Sequence, residues 1–360
     1  MIRRLRRKLL VSCGTLAVLF VVGELWTRSL EPGPFALLDS YPYTPHERGK
    51  GFERHQPNFE GRWDGTWYRT NSLGLRGDEL PEVADNQLRV VCLGDSCTFG
   101  KGVNEEESWP RQLERLLREQ AQGAWEPVVA NLGVNGYHGA SYEVMLEEVG
   151  LKLKPDIILV GFNLNDFPNA ISAVDDKVFR ERASRRMIPE SVRDSLGRLS
   201  LYRWARQTFY HLRRNQDWSN AESFAAGVAA GAPDDPIWQR QRRILEGIYD
   251  KAKGAGAQIA LFLFPYESQI FLTSYDRTPI ERLDGLCGEI GIPFLDLAEP
   301  FREAAKATNG NLELFLRGDR YHPTGNGYGV VAKEVLGRMV ENEWLPNLAK
   351  NMVPKRAQGE

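Results

Sequence analysis

The sequence has few cysteines and histidines and almost no net charge, and each shortage excludes a class of protein. It contains 4 cysteines and 5 histidines among 360 residues, and 46 lysines and arginines stand against 48 aspartates and glutamates. Four scattered cysteines do not make a disulfide scaffold, and without a C-x-x-C pair they indicate no zinc site. The balanced charge argues against a nucleic-acid-binding protein. No pattern in the chain indicates a metal or a cofactor, and none identifies a protein partner.

Apolar residues, by contrast, are plentiful. The chain is 42% hydrophobic and 10% aromatic, which is enough to build a core and excludes global disorder. Its length favours one domain of catalytic size with additional segments.

The first 27 residues have the composition of a membrane anchor. Five basic residues between Arg3 and Lys8 precede an apolar stretch that begins at Leu9 and closes at Trp26. As a helix this stretch spans roughly 27 Å, close to the thickness of a bilayer core. The basic cluster should stay in the cytoplasm, which predicts that the rest of the chain lies outside it, in the periplasm or its equivalent in a bacterium.

Two alternatives to an uncleaved anchor remain open. A cleaved signal peptide needs a small-x-small site after the apolar stretch, and the sequence VVGELWTRSL offers none. The residues Leu10–Cys13 resemble the site at which bacterial lipoproteins are acylated, but most of the apolar stretch follows Cys13 instead of preceding it.

Beyond the anchor, the sequence divides into a linker and an α/β domain. Residues 28–86 are rich in proline, glycine and aromatics and predict an extracytoplasmic linker wrapped onto the body, with a hairpin around Gly61–Thr70. Residues 87–345 form the predicted catalytic domain, interrupted by an insertion at 167–257, and residues 346–360 a flexible tail. Short β-branched apolar runs in this domain predict five strands: Leu88–Leu93, Val128–Leu132, Asp156–Gly161, Gln258–Phe264 and Pro293–Leu297.

Helical patterns alternate with these strands. They cover Ser108–Gln120 and Ser141–Leu151, begin at Asp235 and after a cap at Thr278, and extend from about Gly325 to Trp344. The alternation predicts a mainly parallel sheet covered by helices on both faces, a three-layer α/β/α sandwich. In such sheets the active site lies at the carboxyl ends of the strands.

The residues that follow the predicted strands have the chemistry of an esterase. Ser96 follows the first strand, Gly136 the second and Asn165 the third, and Asp319 and His322 precede the last helix. A serine nucleophile needs a base, which His322 supplies, and Asp319 can hold the imidazole in the correct tautomer. The backbone N–H groups of Ser96 and Gly136 and the Asn165 amide are suitable donors for an oxyanion hole.

These residues resemble the sequence blocks of the SGNH, or GDSL-type, hydrolases. The motifs are G-D-S at 94–96, N-L-G-V-N-G at 131–136, N-D at 165–166 and D-R-Y-H at 319–322. The resemblance covers roughly residues 88–345 and implies a flavodoxin-like fold, with Ser96, His322 and Asp319 catalytic and Ser96, Gly136 and Asn165 forming the oxyanion hole. The G-x-S-x-G motif of α/β-hydrolases is absent, which argues against that superfamily.

One departure from the family pattern leaves the oxyanion asparagine open. The usual third block is G-x-N-D, but this chain has Asn163 where the glycine belongs. Either Asn163 or Asn165 can therefore be the donor, and the intact Asn-Asp dipeptide favours Asn165. The segment NSLGLRG at 71–77 resembles one found before the serine block in anchored bacterial members, and we expect it to pack against the sheet. His138 lies two residues past Gly136 and belongs either to the pocket or to a surface loop.

The insertion is characterised by charge. Basic residues dominate between Lys177 and Arg214, and Leu199, Tyr202, Phe209 and Leu212 give it an apolar face. It forms either a cap that meets anionic lipid or acidic polysaccharide, or a solvated basic face packed on the body.

The resemblance and the anchor together predict an extracytoplasmic serine esterase. Its expected substrate is a short acyl ester, O-acetyl on an envelope or exported glycan, which the enzyme hydrolyses or transfers. A lysophospholipase or lipase acting on membrane lipid is the first alternative. A non-catalytic binding module that keeps the fold is the second, and the intact Ser96, Asp319 and His322 speak against it.

Overall fold

A computed structural model of the protein describes residues 2–30, 43–49, 51–63, 66–167, 199, 201–202, 234–271, 275–308, 313–316 and 321–346. Asp319 lies outside the described residues, and so do Phe209, Leu212 and nearly all of the basic stretch of the insertion.

The chain begins with one long helix, α1 (Ile2–Leu30). Its segment Val11–Arg28 has a mean hydropathy of 1.3 and is long and apolar enough to cross a membrane, by length and composition. Near its carboxyl end, the Glu24 carboxylate accepts the N–H of Leu201 at 2.9 Å, and the Leu201 side chain lies against Gly23. The first part of the insertion to be described after residue 167 therefore contacts the end of α1.

Two small antiparallel pairs precede the main domain. Strand β1 (Tyr43–Thr44) pairs with β2 (Arg54–His55), and β3 (Glu60–Trp63) pairs with β4 (Thr66–Arg69). The second pair confirms the predicted hairpin. Beyond it, Arg76 forms isolated bridges to Thr70 and to Asn131, so the segment reaches the edge of the main sheet.

Five parallel strands form that sheet. They are β5 (Gln87–Gly94), β6 (Glu126–Gly133), β7 (Ile157–Phe162), β8 (Gln258–Leu263) and β9 (Phe294–Asp296), in the spatial order β6-β5-β7-β8-β9. Every residue of β7 is buried, as expected of a strand that helices cover on both faces. Gly94 pairs in register with Gly133 on one side and Gly161 on the other, so β5 and β6 end at one level and β7 ends one residue further on.

Helices surround the sheet in two groups. Those of the domain that the structure describes are α2 (Ser96–Phe99), α3 (Trp109–Ala121), α4 (Gly139–Glu148), α5 (Pro236–Gly254), α6 (Glu267–Phe271), α7 (Thr278–Ile290), α8 (Ala298–Ala307) and α9 (Gly325–Glu341). Helix α3 packs against α9, whereas α5 packs against α4 and α7. The buried Trp109 of α3 meets Phe262 of β8 edge-on, with ring centroids 5.0 Å apart.

The predicted three-layer fold and its five strands are confirmed, and several helix ends differ from prediction: the helix expected over Ser141–Leu151 is Gly139–Glu148, and the one expected over Ser108–Gln120 is Trp109–Ala121. Thr278 was expected to cap α7 but is its first residue, because the Asp276 carboxylate accepts the Thr278 N–H at 2.9 Å. The last helix ends at Glu341, short of Trp344.

Candidate active site

Ser96 begins the short helix α2 immediately after β5. The carboxylate of Asp95 caps this helix by accepting the Cys97 N–H at 2.8 Å. The helix lies tightly against the end of β6, because a Cβ on Gly133 would come 2.2 Å from the Phe99 nitrogen. Only glycine fits there, and the close contact fixes the direction in which Ser96 leaves the strand.

His322 is brought to Ser96 from 226 positions further along the chain. Its Nε2 lies 2.7 Å from Ser96 Oγ, and the side chain is almost fully buried. The Leu316 N–H donates to the His322 carbonyl at 2.9 Å, which holds the loop before α9. A serine hydroxyl hydrogen-bonded to a buried imidazole has the geometry that activates a nucleophile. The third member expected from the sequence, Asp319, lies outside the described residues.

The two asparagines after β7 have different partners. Asn163 is buried, and its Nδ2 donates to Asp95 Oδ1 at 3.0 Å. Asn165 is half-buried, and its Oδ1 accepts the Tyr321 hydroxyl at 2.7 Å. The amide N–H of Asn163 is therefore engaged behind the serine, whereas the hydrogen bond to Asn165 occupies its oxygen, and its NH₂ group makes no hydrogen bond to the described residues.

Gly136 lies in the loop after β6, a strand whose end pairs with the end of β5 before Ser96. Its φ is +81°, a conformation that side chains rarely adopt, and a Cβ there would meet open space. The glycine is thus required by the backbone conformation and not by a crowded neighbour.

Residues of the linker hold this loop from outside. The Asn135 N–H donates to His55 Nε2 at 3.4 Å, and the Tyr137 hydroxyl donates to the Phe52 carbonyl at 3.2 Å. Burial lowers the pKa of His55 to about 3, so its imidazole is a neutral acceptor. His138 also packs edge-on against Phe52, and burial lowers its pKa.

Arg76 supports the serine helix from the opposite end. Its Nη1 donates to the carbonyls of Phe99 and Gly100 at 2.6 and 2.5 Å, and its Nη2 to that of Val103 at 2.6 Å. The guanidinium also stacks over the Tyr68 ring at 4.7 Å. The NSLGLRG segment packs against the edge of the sheet, as expected, through the bridge of Arg76 to Asn131, and its arginine also binds the carboxyl end of α2.

Two carboxyl groups are buried behind the nucleophile. Burial raises the pKa of Asp95 and of Asp166, and the nearby Asp95 raises the pKa of Asp166 further. Asp166 Oδ2 accepts the Tyr142 hydroxyl at 2.6 Å and the Asn163 N–H at 2.7 Å. Sequence reasoning assigned no role to Tyr321, Tyr142 or Asp166, although Tyr321 lies inside the D-R-Y-H motif.

The cysteines are unpaired. All four are free, and Cys92, Cys97 and Cys287 are buried. The Cys97 thiol lies next to the nucleophile, and burial raises its pKa well above the ordinary range. These thiols act as small apolar groups of the core.

With this geometry in view, the family of the chain is clear. Residues 92–330 match the GDSL-like lipase/acylhydrolase family, and the chain belongs to it. Membership defines the class of the protein as a serine hydrolase of carboxylic esters.

Similar proteins include carbohydrate esterases. An acetylxylan esterase of Xylanibacter ruminicola is 28% identical over 115 residues, which cover 28% of this chain and only 23% of that protein. A catalytic mutant of Axe2, an acetylxylan esterase from Geobacillus stearothermophilus, is 15% identical, with a TM-score of 0.43 over 72% of this chain and 96% of that one. The psychrotrophic esterase EstA from Pseudoalteromonas sp. is 13% identical, with a TM-score of 0.40 over 73% of this chain and all (100%) of its own.

Proposed function

We propose that the protein is a membrane-anchored, outward-facing serine esterase that removes or transfers a short acyl group, O-acetyl on an envelope or exported glycan. The observation that carries the proposal is the 2.7 Å contact between Ser96 Oγ and His322 Nε2. Helix α1 serves as the anchor.

In the proposed reaction His322 accepts the proton of Ser96 as the hydroxyl attacks the ester carbonyl. Asp319, three residues before His322, orients the imidazole and stabilises the imidazolium. The N–H groups of Ser96 and Gly136 and the Asn165 amide stabilise the oxyanion. His322 then protonates the leaving alkoxide. Water, or an acceptor hydroxyl in a transferase, attacks the acyl-serine and regenerates the enzyme.

Support for a small acyl group comes from the residues beside the site. Tyr137 is buried in the loop after β6, and Phe167, after β7, is buried against Trp238 with ring centroids 4.7 Å apart. These aromatic side chains belong to the buried core, and we infer that they leave room beside Ser96 for a small acyl group. The acetylxylan esterase among the similar proteins agrees with an acetylated glycan as substrate.

A lipid substrate is the second candidate, and one contact favours it. Leu201 of the insertion lies against Gly23 near the end of α1, so the segment that follows the Asn165 loop returns to the proposed anchor. A catalytic domain tethered to a bilayer by such an anchor is able to meet membrane lipid.

Acyl-chain preference separates the two candidates. We expect the full-length protein in lipid nanodiscs to hydrolyse p-nitrophenyl acetate with a higher kcat/KM than the octanoate. The Ser96→Ala variant supplies the blank for each ester. An octanoate value tenfold above the acetate value, about 1.4 kcal/mol in the transition state, would replace the glycan proposal with the lipid one.

A further inference from the structure

The loop that carries Gly136 begins with a tight turn. The Tyr137 N–H donates to the Val134 carbonyl at 3.1 Å, which closes a β-turn with Asn135 and Gly136 at its centre. The φ of Gly136 is +81°, whereas that of Asn135 is negative, and this combination defines a type II turn. The Val134 N–H donates to the Gly94 carbonyl at 3.1 Å. The turn therefore starts from the end of β5, the strand that leads to the nucleophile.

Type I and type II turns differ in the orientation of their central peptide, which here joins Asn135 to Gly136. Rotation of that peptide by about 180° converts one type into the other. The peptide is trans, so the Asn135 carbonyl and the Gly136 N–H point in opposite directions. The orientation of this carbonyl therefore decides where the Gly136 N–H points. Glycine at the third position of a turn permits both orientations, so the residue itself does not determine the choice.

Two residues of the linker hold the main chain of Asn135. The Tyr43 hydroxyl donates to the Asn135 carbonyl at 3.2 Å, and His55 Nε2 accepts the Asn135 N–H at 3.4 Å. A carbonyl oxygen has no proton to give, so the tyrosine is the donor at this contact. Tyr43 and His55 face each other across β1 and β2, and their rings stack with centroids 5.6 Å apart. This small sheet therefore presents one donor and one acceptor to the two polar backbone groups of Asn135.

We propose that Tyr43 is a positioning residue of the oxyanion hole, which holds the peptide between Asn135 and Gly136 in its type II orientation and so directs the Gly136 N–H toward the oxyanion. The inference rests on the role proposed above for that N–H. The hydrogen bond accepted by the Asn135 carbonyl also polarises the N–H of the same peptide, which makes it a stronger donor. The linker between the proposed anchor and the catalytic domain thereby completes the active site.

The effect of Tyr43 should be confined to the transition state. Negative charge develops on the substrate oxygen only as the ester carbonyl is attacked, so a misdirected Gly136 N–H lowers kcat and leaves substrate binding unchanged. The Tyr43 side chain is 36% exposed, and phenylalanine keeps the ring that stacks on His55. The Tyr43→Phe variant should therefore fold, and loss of the hydroxyl alone is what its kinetics report.

Kinetics of the full-length protein with p-nitrophenyl acetate test this role. Tyr43→Phe should lower kcat about fivefold, roughly the worth of one hydrogen bond, with KM within about twofold of wild type. The Ki of trifluoroacetophenone should rise by the same factor, because Ser96 Oγ adds to this ketone to form a tetrahedral oxyanion while its proton passes to His322.

The matched control is Ser141→Ala. The Ser141 hydroxyl, in α4 and outside the turn, donates to the Gly51 carbonyl of the linker, so the variant removes another hydroxyl contact between linker and domain. Its kcat should stay within about twofold of wild type. An unchanged kcat in Tyr43→Phe, a rise in its KM alone, or an equal loss of kcat in both variants would overturn the inference.

A double-mutant cycle with Gly136→Ala tests whether the hydroxyl acts through the turn. Alanine is strained at φ +81° although its Cβ would meet open space, so Gly136→Ala should favour the rotated peptide and lower kcat. Adding Tyr43→Phe should then lower kcat by less than about twofold, because no directed N–H remains to be held. Losses that multiply, or a wild-type kcat in Gly136→Ala, would overturn the inference. Turnover that survives in Ser96→Ala would instead reject the proposed function, so the two failures are distinguishable.

Discussion

Among single side chains, the two asparagines that follow β7 illustrate how the site distributes its donors. Asn163 donates its amide N–H to the buried Asp95 carboxyl group. Asn165 accepts a hydrogen bond from Tyr321 at its oxygen, and its NH₂ group has no hydrogen-bond partner among the described residues. This difference favours Asn165 as the oxyanion donor, in agreement with the intact Asn-Asp dipeptide.

Paired alanine variants test that assignment. Asn165→Ala should lower kcat by about 10²–10³ with little change in KM, because the amide acts on charge that exists only in the transition state. Asn163→Ala should lower kcat much less and act mainly on stability. Steady-state kinetics of both variants provides the measurement. The opposite ranking of the two kcat values would transfer the role to Asn163.

Among the elements, the serine helix α2 depends on contacts from distant parts of the chain. Its four residues are too few to form a stable helix in isolation. The Asp95 carboxylate holds its beginning, and the Arg76 guanidinium holds the carbonyls at its end. The linker therefore contributes directly to the position of Ser96.

Removal of Arg76 should therefore destabilise the domain. Arg76→Ala leaves three carbonyl groups without their charged donor, and we expect the melting temperature to fall by about 5 °C or more. Arg76→Lys should recover little of this loss, because an ammonium does not reproduce the planar fork of a guanidinium. Arg118→Ala is the control, as its side chain is 63% exposed and, within the part of the chain that the structure describes, pairs with Glu114 of the same helix alone. Equal melting temperatures for the two alanine variants would contradict the support that we assign to Arg76.

The sequence predicts those features of the fold and of the site that a local residue pattern determines. β-branched runs predicted the five strands, and the rule that sites lie at carboxyl ends of parallel strands pointed to Ser96, Gly136 and Asn165. The contacts of Arg76 with α2 and of Tyr321 with Asp95 and Asn165 join distant residues, and no periodicity encodes them. The start of α7 depends on whether Asp276 or Thr278 supplies the cap, and two polar residues only two positions apart leave that choice ambiguous in the sequence.

For the whole molecule, the orientation of the proposed anchor decides which substrates the domain meets. Basic residues that precede an apolar helix favour the cytoplasmic side for the amino terminus. An alkaline phosphatase reporter fused after Ser40 should therefore be active, and the full-length protein should remain in the membrane fraction. Cys13→Ser should fractionate like the wild type, because the helix itself is the anchor. A soluble form that begins near residue 30 would replace the anchor with a cleaved signal peptide, and release of Cys13→Ser would indicate a lipid anchor.

The account depends most on Ser96 as a nucleophile that His322 activates. We expect a fluorophosphonate to add its phosphonyl group to Ser96 Oγ, displacing fluoride, with one label per chain as esterase activity disappears. Mass spectrometry of the peptide that contains Ser96 locates the label. Labelling should be absent in Ser96→Ala and much slower in His322→Ala, because the hydroxyl then lacks its base. Full labelling of Ser96→Ala, or complete loss of activity with Ser96 unlabelled, would contradict the account.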